Sequence, residues 1–261
     1  MIIIRATFKA TCLFLILVLA SIIGFQDSYA GSFNVSKIST NQRYAINVAI
    51  LTAHVINGLN AVSTIDPANN SYSTDGVLVI QGINGASLTQ NRTQCAPFVT
   101  RLLTLTYDLS PSYFKSWSNS ASPNAAKYFD AINAGSSFTK ISKIQDIKPG
   151  DILAVKYIQG DGTGATGHTM IAVMKPKAIA ATAPFVSGTT QYEALVLDSS
   201  STPHGSDDSR VGTSGQGAGK GFLRLYANSS GEIAGYTWSK QDATFHGPNQ
   251  RPLVVGRIIL P

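Results

Sequence analysis

The sequence predicts an α+β protein, with N-terminal helices packed on a roughly six-stranded antiparallel sheet. Two observations lead to this prediction. In the first half of the chain apolar residues recur at helical spacing, whereas from Ile147 onward short β-rich runs are separated by turn residues. Helices followed along the chain by a block of strands are typical of an α+β domain.

Residues 1–30 have the pattern of a secretory signal peptide. Arg5 and Lys9 precede an apolar stretch from Cys12 to Phe25, which leads to the small-x-small sequence Ser28-Tyr29-Ala30. The stretch is shorter than the ~20 residues of a membrane-spanning helix. We therefore predict a secreted or periplasmic protein that meets a membrane only through its transient signal peptide. Residues 31–261 are predicted to form one domain, with a helical and loop extension over 31–90 and the main body over 91–261.

The elements of the first half follow from periodicity. Apolar residues near helical spacing predict a helix over residues 41–61. Residues 63–91 are rich in Asn, Ser, Asp and Gly, which predicts loops around one short apolar run at 77–80. A second helix is predicted to begin at Cys95, and a third to span about residues 124–133.

The second half is predicted to contain six strands. A Lys-Pro-Gly-Asp turn at 148–151 introduces the first of them, and residues 228–231 form a predicted hairpin turn between the fourth and the fifth. A Gly/Ser-rich stretch over 199–221 is predicted to be a long surface loop. The predicted strands are residues 152–157, 168–174, 192–198, 222–227, 233–238 and 253–260.

The charge balance excludes some classes of partner. The chain has 20 Lys and Arg against 14 Asp and Glu, a formal net charge of +6. The basic residues are scattered and form no run interleaved with aromatic residues, so we expect no nucleic-acid partner. We expect a monomer that uses no cofactor.

Cys95 is the one cysteine that remains once the signal peptide is removed. An odd thiol in an oxidising compartment is buried and inert, paired with another chain, or reactive. Its predicted place at a helix N-terminus favours a reactive thiol, because the positive end of the helix stabilises a thiolate. The alternative is a small buried apolar residue.

Two residues at predicted strand ends complete a catalytic pattern. His168 begins one strand and Asp198 ends another. If these strands are neighbours, the imidazole can face the thiol and the carboxylate can orient the imidazole. Taken alone, each has a plainer interpretation, because His168 could cap a strand edge and Asp198 could belong to a turn.

Further residues are candidates for supporting roles. A tetrahedral intermediate needs fixed donors for its oxyanion, and the backbone N–H of Cys95 is the first of these. Gln90 and Gln94 are the side-chain candidates, with Gln90 preferred because it is far enough away to fold back over the thiol.

His204 is a candidate for the border of the substrate cleft, with solvent exposure as its alternative. No histidine outside the triad has a second ligand at metal-binding spacing, so we predict no metal site.

These pieces resemble a known family. The chain is similar to papain-like cysteine peptidases of bacterial cell walls, the NlpC-like endopeptidases and their CHAP amidase relatives. The similar segments are the nucleophile helix, the first strand, the histidine strand and the segment of the third triad member, at residues 94–99, 147–153, 167–173 and 196–198. The resemblance implies a papain-like (NlpC-like) fold. It also implies that Cys95 attacks an amide carbonyl, His168 acts as base and then acid, and Asp198 orients His168. The implied substrate is a peptide or peptidoglycan-like molecule.

Two other functions are compatible with the same residues. Transglutaminase-like acyl transferases use the same three residue types in the same order. An exported binding module could keep such a fold without catalytic activity.

Overall fold

The computed structural model describes residues 60–63, 65–158 and 164–261. The predicted signal peptide lies outside these residues, and so does most of the helix predicted over 41–61. Asn60 and Ala61 are helical, as part of a helical stretch at 60–63. In the described part of the chain, no helix has the length and apolar character needed to cross a membrane.

After the helical stretch at 60–63, the described part of the chain contains three further α-helices and eleven strands. The helices are α1 (Cys95–Tyr107), α2 (Pro111–Ser118) and α3 (Ala125–Ala134). The strands are β1 (Asn70–Tyr72), β2 (Val77–Val79), β3 (Gln90–Thr93), β4 (Phe138–Ile141), β5 (Ile152–Lys156), β6 (Gly167–Ala172), β7 (Lys177–Ala178), β8 (Thr190–Ser200), β9 (Gly217–Ala227), β10 (Ile233–Thr237) and β11 (Leu253–Ile258).

The strands form two sheets. The large one has eight strands in the order β10-β9-β8-β6-β5-β11-β4, with the short β7 paired to β8, and its pairings are antiparallel. It curls until the segments beside its edge strands meet, where Lys143 bridges Glu232. The small sheet has the order β1-β3-β2, with β1 parallel to β3.

The predicted fold class is wrong in its architecture. The structure is mostly β, with an eight-stranded and a three-stranded sheet and few helices, instead of N-terminal helices packed on about six strands in the papain-like arrangement. The missed strands explain the error. β1 and β3 are short and polar and carry no apolar alternation, while β4 has only two buried residues.

The six predicted strands of the second half are confirmed with small shifts at their ends, and the turn at residues 228–231 does connect β9 to β10. The surface loop predicted over 199–221 is wrong at both ends, because β8 runs to Ser200 and β9 begins at Gly217. The helix predicted at Cys95 is confirmed, and so is the one near residues 124–133. Helix α2 was not predicted.

The curled sheet separates two cores. On one face, α1 and α3 pack on β-strand residues such as Ile171 and Leu197. On the other, Met170 and Val196 belong to a second cluster with residues of β9 and β10. Because side chains alternate along a strand, His168 and Asp198 share the face of Met170 and Val196. Both polar residues lie at the ends of their apolar runs.

Candidate active site

Cys95 is the first residue of α1 and directly follows β3. Its side chain is 7% exposed and lines an open cleft of about 1030 Å³. The residue before it, Gln94, is extended and makes no side-chain cap to the helix. The first N–H groups of a helix have no partner within it, so the sulfur lies beside a set of backbone donors and the positive end of the helix dipole.

His168 and Asp198 come from neighbouring strands, β6 and β8. His168 Nε2 lies 2.5 Å from Asp198 Oδ2, and both side chains are buried. The preceding Gly167 has φ +149°, and a Cβ there would collide with the Val155 carbonyl of β5. Glycine therefore lets β6 begin close against β5, which places His168 at the floor of the cleft.

The thiol and the imidazole interact. Burial raises the pKa of the Cys95 thiol, but the His168 cation and its hydrogen bond, with a further bond from the Thr169 backbone, outweigh burial and lower it. Burial lowers the pKa of His168, but the Cys95 thiolate and the Asp198 carboxylate raise it to about 10. The two shifts have the same cause and favour a thiolate–imidazolium pair at neutral pH. Since Nε2 of His168 is held by Asp198, Nδ1 is the nitrogen left to face the thiol.

Asp198 is surrounded by basic side chains in the protein interior. Besides His168, it is 3.0 Å from His204 Nε2 through Oδ2 and 2.9 Å from a terminal guanidinium nitrogen of Arg210 through Oδ1. The Arg210 contact is an ion pair without the alignment of a hydrogen bond. Burial raises the pKa of Asp198, but Arg210, His204 and His168 together hold it well below its usual range.

A buried ion pair supports this arrangement from the loop between β8 and β9. The Arg210 guanidinium donates to both oxygens of Asp208, with Nε and a terminal nitrogen at 2.8 and 2.7 Å. Gly219 and Gly221 of β9 leave room for it, because a Cβ at either position would collide with Arg210, or with Asp208 and His204. These glycines allow a charged loop to pack directly on the strand.

The cleft is lined mainly by polar and aromatic groups. The Trp238 ring meets the His168 ring edge-on, with centroids 4.9 Å apart. Farther along, the guanidinium of Arg251 lies 4.4 Å over the Tyr157 ring. Among the described residues no carboxylate forms an ion pair with Arg251. This cation is therefore available in the cleft.

Tyr72 of β1 is a site residue that the sequence did not indicate. It lines the cleft together with Cys95. Burial raises the pKa of Tyr72, and the neighbouring thiolate raises it further, so the phenol keeps its proton. No motif marks this residue, because the pairing of β1 with β3 brings it beside the thiol from a distant part of the chain.

The other predicted site residues fall in different places. Gln94 lines the cleft next to Cys95, whereas Gln90 is not among the lining residues and donates its side-chain amide to Asn69 at 3.5 Å. His204 does not border the cleft and is not exposed to solvent. It is 1% exposed and lies beneath Asp198.

The fold also assembles a trio that sequence spacing did not reveal. Ligand-type atoms of His168, Asp198 and His204 lie within 4.8 Å of one another. This is a donor set that could hold a metal ion. However, both histidines already bond to the same carboxylate oxygen, and Arg210 lies on the other. A divalent cation there would be repelled by the guanidinium, so the trio is better explained as a hydrogen-bonded network.

Comparison with known proteins gives a relative of unassigned activity. The chain is similar to the uncharacterized protein R653 of Acanthamoeba polyphaga mimivirus, with 31% identity over 175 residues. The similarity covers 64% of this chain and 77% of that protein. No family model and no solved structure matches the chain.

Proposed function

This chain belongs to the same family as the mimivirus protein R653, and we propose from the geometry of its site that it is an exported cysteine hydrolase that cleaves an amide or peptide bond. The resemblance of its nucleophile helix and histidine strand to NlpC-like and CHAP hydrolases is part of this proposal. Export rests on the pattern of residues 1–30, which remains a sequence prediction. The substrate expected is a peptide or a peptidoglycan-like molecule.

The observation that supports catalysis most strongly is the convergence of three distant groups at one open cleft. The Cys95 thiol of α1 and the His168 imidazole of β6 both line the cleft, His168 lowers the pKa of the thiol, and His168 Nε2 lies 2.5 Å from Asp198 Oδ2 on β8. Both a lowered thiol pKa and a raised imidazole pKa are expected for an activated nucleophile. A thiol that only filled space would need neither the imidazole nor access to the cleft.

The proposed reaction begins with attack of the Cys95 thiolate on the carbonyl carbon of the scissile amide. The carbonyl oxygen becomes an oxyanion, and the His168 imidazolium gives its proton to the departing amine nitrogen. The C–N bond breaks and a thioester remains on the sulfur. Water then attacks the thioester while His168 takes its proton, and the acid product leaves with the thiol restored. Asp198 holds the imidazole in the required tautomer throughout.

Two donors are proposed for the oxyanion. Cys95 is the first residue of α1, so its backbone N–H has no partner within the helix. Tyr72 lines the cleft with Cys95, and its raised pKa keeps the phenol protonated. Gln94 lines the same end of the cleft. Gln90 is engaged with Asn69, and the proposal does not include it.

The cleft suits an extended, polar substrate. Its volume of about 1030 Å³ exceeds what a single small molecule fills. Arg251 supplies a cation that is stacked on Tyr157 and could pair with a substrate carboxylate. Stem peptides of peptidoglycan and acidic peptides both offer such a group.

The experiment that tests the function is digestion with mass-spectrometric readout. The protein is incubated with peptidoglycan fragments and with an acidic peptide library, each with and without an added amine. We expect fragments that have gained one water at an amide bond. Incorporation of the amine in place of water would identify an acyl transferase. No change in any substrate would favour the non-catalytic binding module and contradict the proposal.

We expect Tyr72→Phe to lower kcat by about 10²-fold, the effect of removing one oxyanion donor. Because the phenol acts mainly on the tetrahedral state, KM should change much less than kcat. The measurement is steady-state cleavage of whichever amide substrate the digestion identifies. Tyr192→Phe, on β8 away from the cleft, is the matched control and should leave kcat unchanged. Equal rates for the two variants would remove Tyr72 from the oxyanion site.

A further inference from the structure

The ring of His204 has an acceptor at each nitrogen. Nδ1 lies 2.8 Å from the backbone carbonyl oxygen of Trp238, and Nε2 lies 3.0 Å from Asp198 Oδ2. A carbonyl oxygen can only accept, and an ionised carboxylate can only accept. Asp198 also faces Arg210 at 2.9 Å and His168 at 2.5 Å, which are contacts of an ionised group. Each ring nitrogen of His204 must therefore donate a proton.

We infer that His204 is held as an imidazolium, a second buried cation beneath Asp198, and that it is a positioning residue for His168. A neutral imidazole would direct one lone pair at an acceptor and lose one of the two hydrogen bonds. At 1% exposure no solvent replaces the lost bond. The inference concerns the charge state of His204 and is separate from the question of whether the protein hydrolyses amides.

The charges around His204 balance only in this state. The groups facing it are Asp198, Asp208, Arg210 and His168, and its backbone N–H donates to Asp208 at 2.7 Å. With Cys95 as thiolate and His168 as imidazolium, a charged His204 makes the buried network electrically neutral. A neutral His204 would leave one uncompensated negative charge in the interior, which is costly.

An aromatic ring also favours the cation. The Trp238 ring lies over His204 with centroids 4.1 Å apart and an interplanar angle of 32°. A cation over an indole face is stabilised by the ring quadrupole, more so when it is desolvated. Trp238 thus contacts both imidazoles. Its ring lies over that of His204, and it meets the ring of His168 edge-on with centroids 4.9 Å apart.

The role of this cation is to fix the carboxylate. His204 and Arg210 hold the two oxygens of Asp198 from different sides, so that Oδ2 is directed at His168 Nε2. The loop over residues 201–216 supplies His204, Asp208 and Arg210 together. This explains why a Gly/Ser-rich segment between two strands carries three buried charged groups.

The charge state can be measured directly on the full-length chain. Histidine is labelled with ¹⁵N, and ring N–H groups are observed by NMR at pH 7. The four histidines are assigned with the variants His54→Gln, His168→Gln and His246→Gln, so the assignment does not require that a His204 variant folds. We expect His204 to show protons on both nitrogens. An unprotonated ring nitrogen in His204 would overturn the inference, whatever the outcome of the digestion experiment.

A second measurement separates positioning from simple structural support. His204→Gln keeps an N–H donor for Asp198 but removes the charge. The rate of Cys95 alkylation should rise with pH in two steps, first as the thiol loses its proton and then as His168 does. Losing a nearby cation makes both groups harder to deprotonate, so both steps should move to higher pH. At pH values below the first step we expect about tenfold slower alkylation, equivalent to a rise of one unit in the pKa of the Cys95 thiol. Lys177→Gln removes an exposed cation on β7 and should leave the profile in place. A loss of rate with neither step moved would contradict the positioning role.

Discussion

Cys95→Ala should lower the rate of amide cleavage by about 10⁴-fold or more, because it removes the atom that forms the covalent intermediate. The remaining rate would come from the oxyanion donors and the cleft, which still bind and polarise the substrate. Cys95→Ser should lose nearly as much, since the site stabilises a thiolate and not an alkoxide. The measurement is single-turnover cleavage of the amide identified by digestion.

The matched control for this loss, measured on the full-length chain with residues 1–30 retained, is Cys12→Ala. It removes the other thiol of the chain, which lies in the predicted signal peptide, and should leave cleavage unchanged. Since the Cys95 side chain is small and partly open to the cleft, its replacement by alanine should leave the melting temperature close to that of the wild type. Full cleavage by Cys95→Ala would contradict the proposed nucleophile. If that activity were also lost on chelation, the His168, Asp198 and His204 trio would have to be reconsidered as a metal centre.

Asp198→Asn should lower the rate of cleavage by about 10⁴-fold, the effect that the same change has in the serine-protease triad. An asparagine amide can present an N–H to His168 Nε2, and the ring would then adopt the wrong tautomer. With its one proton on Nδ1, the neutral ring could not accept the proton of the thiol, so low-pH alkylation of Cys95 should fall as well. These two losses should appear together.

The same variant should be markedly less stable. Asp198 is fully buried and faces His168, His204 and Arg210, so the neutral amide leaves buried cations without their counter-charge. Breaking such a pair costs about 3–5 kcal/mol. For a domain of this size that corresponds to a melting temperature lower by roughly 10 °C. Asp207→Asn, an exposed carboxylate in the same loop, is the control and should melt near the wild-type temperature.

Stability should also depend on pH through this carboxylate. Its folded-state pKa lies below the unfolded value of about 3.9, so its contribution is fully present above that pH and is lost as pH falls below it. The melting temperature of the wild type should therefore drop more steeply in acid than that of Asp198→Asn. Parallel acid profiles would show that the network contributes no stability of this kind.

Local sequence patterns predicted the helix at Cys95 and the strands that carry His168 and Asp198. Pro97 in the first helical turn and the apolar run ending at Asp198 are signals contained within a few residues. Such signals report elements and their ends well. For that reason the sequence alone indicated the three residues of the proposed triad.

Features that depend on contacts between distant segments could not be predicted in this way. β1 and β3 are polar because their buried amides bond across the small sheet, as Asn91 Nδ2 does to Asn70 Oδ1 at 3.1 Å. Without apolar alternation they resemble loops, so Tyr72 was missed with them. Gly219 and Gly221 resemble flexible linkers, yet they are strand positions where a charged loop packs closely. The buried state of His204 follows from that same contact.

The most direct test of the central claim is the pH dependence of Cys95 carboxamidomethylation by iodoacetamide, read by peptide mapping. A paired thiolate predicts rapid alkylation already at pH 6, where an ordinary thiol of pKa about 8.5 is almost entirely protonated. A second step is expected near pH 10, where His168 loses its proton. His168→Gln should abolish the reaction at pH 6. Alkylation that follows an ordinary thiol profile, or that needs denaturation, would contradict the proposed thiolate–imidazolium pair.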